Sequence, residues 1–218
     1  MSTIDYAKAR ELMVEQQVRP WDVLDPRVLN VLATLPREDF VPAAHRALAY
    51  TDIALPLAHG EYMTKPVVEG RALQALAPGP GDDVLEIGTG SGYLTACLAR
   101  LARDVVSLER HADLADAARD QLHRQRLGNV DVLHADAFAY DTDRRFSAIC
   151  VTAAVDAIPA KFVEWLQPGG RMFVVRGRSP AMEAVLLHND AGQPRIESLF
   201  ETDLPYLAGA APRPVFEF

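Results

Sequence analysis

The run Asp83-Val84-Leu85-Glu86-Ile87-Gly88-Thr89-Gly90-Ser91-Gly92-Tyr93 decides the fold. Val84, Leu85 and Ile87 belong to a short apolar run that reads as a buried strand, and Gly88, Gly90 and Gly92 then form a tight turn before a helical stretch opening near Tyr93. Such a turn lets the backbone approach a ligand and aims a helix N-terminus at it, so a nucleotide-like cofactor is the expected occupant. A dinucleotide fingerprint needs glycine at the first, third and sixth positions of the turn. Counted from Gly88, the sixth position is Tyr93, which weakens an NAD reading.

Outward from this turn, short β-branched runs alternate with helical stretches, the signature of a parallel α/β sheet. Strands are expected at Asp83 to Ile87, Val105 to Leu108, Val130 to Leu133, Ala148 to Thr152 and Arg171 to Val175. Helices are expected around Tyr93 to Leu101, Leu114 to Arg126 and Pro159 to Leu166, the last closed by the turn Gln167-Pro168-Gly169-Gly170. Ala184 to His188 reads as a strand that is part of an antiparallel edge, and Leu204 to Phe218 as a final strand or a docked tail. Upstream, Tyr6 to Val18 reads as a helix stopped by Arg19-Pro20, and Asp25 as the N-cap of a second with Pro26 at its first position. Residues 1–78 are thus expected to form a helical and substrate-loop region packed on a cofactor-binding core at 79–218, as one unit.

Two carboxylates sharpen the cofactor reading. Glu109 closes the second strand about 20 residues after the glycine turn, where a carboxylate accepts ribose hydroxyls. Asp136 follows the third strand and is placed to accept an adenine amine. Each alone reads equally well as a solvated charge or a helix cap; together at successive strand ends they favour a cofactor. The balance of 30 acidic against 22 basic residues, a net charge of -8, argues against nucleic acid as a partner. No stretch approaches the roughly 18 apolar residues of a membrane helix, and Met1 to Arg10 lacks the apolar run of a secretory signal, so the cytoplasm is the expected address. Cys97 and Cys150 sit in apolar runs and read as core filler, and six scattered histidines show no metal-ligand spacing.

The Gly-x-Gly-x-Gly turn preceded by Glu86 resembles the first motif of S-adenosylmethionine-dependent methyltransferases. From about Leu12 to Gly177 the chain further resembles the protein-L-isoaspartate O-methyltransferase family. The likeness is carried by Met13-Val14-Glu15-Gln16, Leu35-Pro36-Arg37 with Phe40-Val41-Pro42, Ala49-Tyr50-Thr51-Asp52 with Leu55-Pro56-Leu57, the glycine turn, Leu108-Glu109-Arg110, and Val151-Thr152-Ala153-Ala154. It implies a Rossmann-like methyltransferase sheet with helices on both faces and an N-terminal helical addition. It also implies S-adenosyl-L-methionine as cofactor, S-adenosyl-L-homocysteine as product, and a cofactor site of Tyr62, Met63, Thr64, Glu86, Gly88, Thr89, Gly90, Ser91, Gly92, Glu109, Arg110, Asp136 and Ala137. Thr64 stands at the position of the family's active-site serine and is the implied catalytic residue. Isoaspartyl proteins or peptides are the implied substrate, with the enzyme a monomer or small homo-oligomer that meets neither nucleic acid nor membrane.

Two stretches depart from the family. Its Gly-Gln-Thr-Ile-Ser segment is Gly60-Glu61-Tyr62-Met63-Thr64 here, which adds a charge and bulk, and Arg213-Pro214-Val215-Phe216 only faintly matches the family's terminal strand. An isoaspartyl carboxylate is ionised at neutral pH and needs no general base, so Thr64 is expected to orient it by donating a hydrogen bond. Lys65 is the nearest candidate partner for Glu61. His59 would suit a phenol or amine acceptor as a base, although a surface or capping histidine is the plainer reading. A methyltransferase for another small acceptor, and a cofactor-binding protein without turnover, therefore remain open beside protein repair.

Overall fold

The computed structural model of the chain describes residues 4–190 and 193–212. Its centre is a seven-stranded sheet of β3 (Asp83–Ile87), β4 (Asp104–Glu109), β5 (Val130–His134), β6 (Phe146–Val155), β7 (Leu166–Arg178), β8 (Ala181–Asp190) and β9 (Gln193–Thr202), in the spatial order β5-β4-β3-β6-β7-β8-β9. The five strands β5 to β7 run parallel, and β8 and β9 add antiparallel at the far side. Leu55–Pro56 (β1) and Tyr62–Met63 (β2) form a separate two-stranded ribbon.

The strand alternation divides the core. Val84, Val105, Val132 and Cys150 face one apolar cluster, shared with Cys97 and Leu98 of α4 (Tyr93–Leu101), Leu73 and Leu76 of α3 (Pro66–Leu76) and Leu122 of α5 (Ala112–Arg124). Leu85, Ile87, Val106 and Ile149 face the other, with Phe162 of α6 (Ala160–Glu164) and Trp165. Helices therefore cover both faces, as the fold class requires. The N-terminal helices α1 (Tyr6–Met13) and α2 (Pro26–Thr34) join the first cluster through Met13, Val28 and Leu32. Asp25 caps α2 by accepting from Arg27 N at 2.8 Å, with Pro26 at its first turn.

Several boundaries differ from the sequence expectation. The helix expected from Tyr6 to Val18 is α-helical only to Met13 and continues as a wider turn over Val14–Val18. The expected turn Gln167 to Gly170 is absorbed into β7 as an irregularity, where the pairing shifts between Phe146↔Leu166 and Ala148↔Arg171. β8 belongs to an antiparallel edge as expected, and β9, which the sequence did not signal, forms its outer strand by pairing from Met182↔Thr202 to Asp190↔Gln193. Over 204–212 the final stretch is a docked segment without a strand, while 213–218, with Arg213-Pro214-Val215-Phe216, lies outside the described residues. No described helix is long and apolar enough to cross a membrane.

Candidate cofactor and acceptor site

A cavity of about 870 Å3, part of it open to solvent, lies over the C-terminal ends of the parallel strands. Ligands bind there in open α/β sheets, because the loops leaving adjacent strands diverge. Ile87 and Gly88 from β3 and its turn, Glu109 and Arg110 after β4, and Asp136, Ala137 and Phe138 after β5 form one side. Thr152 and Ala153 of β6 lie below, Glu61 to Thr64 come from the ribbon, and Leu204 to Ala208 close the remaining wall.

The glycine turn is tied down at both ends. Gly88 N and Thr89 N donate to Leu108 O at 2.9 and 3.3 Å, and Gly90 N donates to Glu109 Oε2 at 2.9 Å. Gly88 has a φ of +96° and a Cβ there would collide with the Thr152 hydroxyl, which itself donates to Gly88 O at 2.8 Å. Glu109 is buried, and its second oxygen accepts His111 N at 2.9 Å. A carboxylate offers about four acceptor positions, so two remain for hydroxyl donors in the cavity. Asp136 holds Phe138 N through Oδ1 at 2.8 Å and leaves Oδ2 for a ligand.

Of the expected cofactor residues, Tyr62, Met63, Thr64, Gly88, Gly90, Glu109, Arg110, Asp136 and Ala137 line the cavity together. Glu86, Thr89, Ser91 and Gly92 do not. Glu86 alternates with Leu85 and Ile87, so its carboxylate turns under α4, where Oε2 accepts Thr95 Oγ1 and Ser107 Oγ, both at 2.5 Å. Burial pushes its carboxyl up to about 8; the two hydroxyls oppose that shift, and the nearby Glu109 and Glu69 add to it. Thr89 Oγ1 lies 2.5 Å from Ser107 Oγ, so Glu86 supports the turn from behind, outside the cavity lining. Ser91 Oγ accepts Tyr93 N at 3.3 Å, and Gly92 packs on Ala118.

Thr64 borders the cavity, yet its hydroxyl donates away from it, to Glu69 Oε1 at 3.0 Å. Glu69 pairs through Oε2 with Arg37 Nη1, and Arg37 Nη2 donates to Thr64 O at 2.6 Å. Both charged side chains are buried, and the guanidinium lies 4.7 Å from the Tyr93 ring centroid. Burial raises the Glu69 carboxyl to about 7, with Arg37 and the Thr64 hydroxyl opposing the shift. Glu61 pairs with His111 Nε2 at 3.3 Å, and not with the exposed Lys65 that precedes α3. His59 lies outside the cavity lining; its ring stacks on His111 at 4.1 Å and binds Asp113 at 2.8 Å, pinning the ribbon's loop to the start of α5.

Sequence reasoning expected a final strand or docked tail from Leu204 onward but named none of Leu204 to Ala208 among the site residues. That segment is fastened to β6 by Ala154 N to Pro205 O at 2.8 Å and Leu207 N to Ala154 O at 2.7 Å. Its single proline and scattered apolar residues carry no periodic signal, so only the fold places it against the cavity.

The family model for protein-L-isoaspartate(D-aspartate) O-methyltransferase matches residues 8–199. The chain belongs to the protein-L-isoaspartate O-methyltransferase family. It is 40% identical over 192 residues to a protein-L-isoaspartate O-methyltransferase of Koribacter versatilis, covering 86% of this chain and 85% of the relative. It is 36% identical over 214 residues to one from Nitrobacter winogradskyi, covering 97% and 99%. A β-aspartate methyltransferase structure of the family from Plasmodium falciparum, solved in complex with S-adenosyl-L-homocysteine, superposes with a TM-score of 0.79 over 94% of this chain and 99% of its own. At 19% identity that likeness speaks for the shared fold.

Proposed function

We propose that this protein uses S-adenosyl-L-methionine to methylate the α-carboxylate of L-isoaspartyl residues in damaged proteins, the first step of their repair. The observation that carries the reading is Glu109, buried at the end of β4 and oriented by two backbone N–H groups beside the glycine turn, with Asp136 across the same cavity. The carboxylates of Glu109 and Asp136 on this rim suit a neutral nucleoside carrying a cationic sulfonium and an amine. Glu109 would take the ribose hydroxyls, Asp136 the adenine amine, and Ala137 with Phe138 the face of the base. When bound, the cofactor supplies a sulfonium-activated methyl group, which an acceptor oxygen takes as the C–S bond breaks and sulfur keeps the electron pair.

The chain's own work is positioning and exclusion of water. An α-carboxylate with a pKa of about 3.3–3.7 is ionised at neutral pH, so no general base is needed. It loses its charge in becoming an ester. Apolar walls from Ile87, Leu108 and Leu204 leave little for water to solvate, which favours a reaction in which charge disappears. The backbone-fastened segment from Leu204 to Leu207 keeps that wall in place.

In this reading residues 1–78 carry the acceptor loop and 79–218 bind the cofactor. The buried, separate thiols Cys97 and Cys150 suit a reducing cytoplasm, and the net charge of -8 suits a protein substrate better than nucleic acid. Transfer of labelled methyl to an isoaspartyl peptide but not to its aspartyl isomer is the expected result. Equal labelling of both, or of neither, would remove the isoaspartyl assignment.

A further inference from the structure

A threonine hydroxyl has one proton and two lone pairs. At Thr64 the proton is committed inward to Glu69 Oε1, and the commitment is held by a buried frame. Arg37 is 0% and Glu69 2% exposed, the two are paired, and Arg37 also fixes the Thr64 backbone through its carbonyl. Turning the hydroxyl proton outward would leave Glu69 Oε1 without that donor in a site that water reaches poorly, which is unfavourable. Toward the cavity Thr64 therefore offers lone pairs, and lone pairs repel a carboxylate.

We propose that Arg37 and Glu69 fix Thr64 as a hydrogen-bond acceptor toward the substrate, receiving the isoaspartyl residue's own amide N–H rather than donating to the carboxylate that is methylated. The inference rests on the isoaspartyl reading above and names what that site recognises. The amide nitrogen and the α-carboxylate share one carbon, so gripping the N–H turns the carboxylate away from Thr64. A small carboxylic acid without an N–H at that place forfeits the contact, so the arrangement selects peptides. Arg37 and Glu69 are positioning residues here, and Thr64 touches the substrate.

The pairing is sensitive to the charge of Glu69. Arg37 and Asp52 face it, with Tyr93 and Cys97 from α4, Glu86 from β3 and Cys150 from β6 as the other titratable groups that feel its field. When Glu69 takes a proton, Oε2 is already occupied by Arg37, so the proton sits on Oε1 and points at Thr64. Thr64 then spends one lone pair on Glu69 and turns its proton outward, which leaves a single lone pair for the N–H and weakens that hold. KM for the peptide is expected to rise as pH falls through the neutral range.

The test compares the parent with Thr64→Val and Thr64→Ser on an isoaspartyl peptide and on the same peptide N-methylated at the isoaspartyl nitrogen. Thr64→Val is expected to raise KM about tenfold with kcat within about twofold, as one lost hydrogen bond implies, while Thr64→Ser stays near the parent. On the N-methylated peptide the parent should already show the higher KM and Thr64→Val should lose nothing more. A fall in kcat with unchanged KM, or an undiminished valine penalty on the N-methylated peptide, would overturn the proposal. A second readout needs no turnover: the carbon-13 carboxyl signal of Glu69, identified by its loss in Glu69→Gln, should titrate at higher pH in Thr64→Val and at the parental pH in Thr64→Ser. An unshifted midpoint in Thr64→Val would show that the hydroxyl does not donate inward. If the parent methylates no isoaspartyl peptide, the functional reading and the amide contact fall together, while the Glu69 titration still decides which way the hydroxyl points.

Discussion

Gly90 donates its backbone N–H to the Glu109 carboxylate at 2.9 Å, which joins the glycine turn after β3 to the end of β4 and leaves the carboxylate facing the cavity. One side chain thus shapes the turn and presents acceptors to the cavity. The other oxygen is held by His111 N, so the carboxylate is oriented before any ligand arrives.

Replacing Glu109 by glutamine is therefore more than a loss of charge. Both flanking groups are N–H donors, and the amide must turn its own NH2 toward one of them. We expect affinity for S-adenosyl-L-homocysteine to fall by about 10–100-fold, the loss of roughly 1.5–3 kcal/mol for hydrogen bonds to a charged acceptor. Calorimetric titration checks this, and parental affinity in Glu109→Gln would take the ribose contact away from this residue.

Glu86 leads to a prediction about pH. Its carboxyl is raised to about 8 by burial, and Glu69 is raised to about 7 for the same reason. A carboxyl with a folded pKa above its unfolded value binds its proton more tightly when folded, so its contribution is full below about pH 4.3 and is lost as pH rises through the folded value. The thermal midpoint is expected to decline between pH 5 and about 8.5. Glu86→Gln, neutral at every pH and still able to accept from Ser107 and Thr95, should flatten part of that decline. A midpoint of equal slope in parent and variant would show that Glu86 does not titrate in this window.

Much of the core was legible because its signals are local. The bounds of β3 coincide with the expected strand, since a buried parallel strand is a short apolar run and the glycine turn marks its end. β9 was missed because Gln193, Pro194, Arg195 and Glu197 have no apolar alternation; the strand is an edge whose pairing comes from β8. α3 was missed as well. Its opening Pro66-Val67-Val68-Glu69-Gly70 has weak helix propensity, and the helix forms because its apolar positions are buried against the wider turn Val14–Val18, α2, α4 and the sheet. Glu86 was expected among the cofactor residues; alternation in β3 turns it to the face opposite Leu85 and Ile87, and its partners Ser107 and Thr95 become visible only once β4 and α4 are packed. No sequence pattern brings Arg37, Thr64 and Glu69 together, because the 3-10 turn at Arg37–Asp39, the ribbon and α3 meet only in the fold.

Gly70 in α3 tests that packing. A Cβ there would stand 2.9 Å from Val18 Cγ1 and 3.3 Å from Val23 Cγ2, both on short, stiff side chains. Alanine gains about 1 kcal/mol of helix propensity, while overpacking costs about 1–3 kcal/mol. We expect Gly70→Ala to destabilise the fold by about 1 kcal/mol and Val18→Ala to make the same change stabilising when the two are combined. Urea denaturation of the four proteins measures the coupling, and strictly additive effects would show that the contact is not tight.

Glu61 is the departure that bears most directly on the acceptor. It lines the cavity where an anionic substrate would enter, its side chain is 43% exposed, and its partner is His111 at 3.3 Å. Half in solvent, such a charge repels an incoming carboxylate weakly, by no more than about 1 kcal/mol, and salt screens most of that. Glu61→Gln should therefore raise kcat/KM on an isoaspartyl peptide by at most about fivefold at low ionic strength, chiefly through KM, and the advantage should shrink toward 0.5 M salt. The glutamine can still bond His111, so the ribbon's loop is expected to keep its place against α5. A fall in kcat/KM that persists at high salt would mean that Glu61 binds a cationic part of the substrate, and the acceptor would then have to carry a positive group beside its carboxylate.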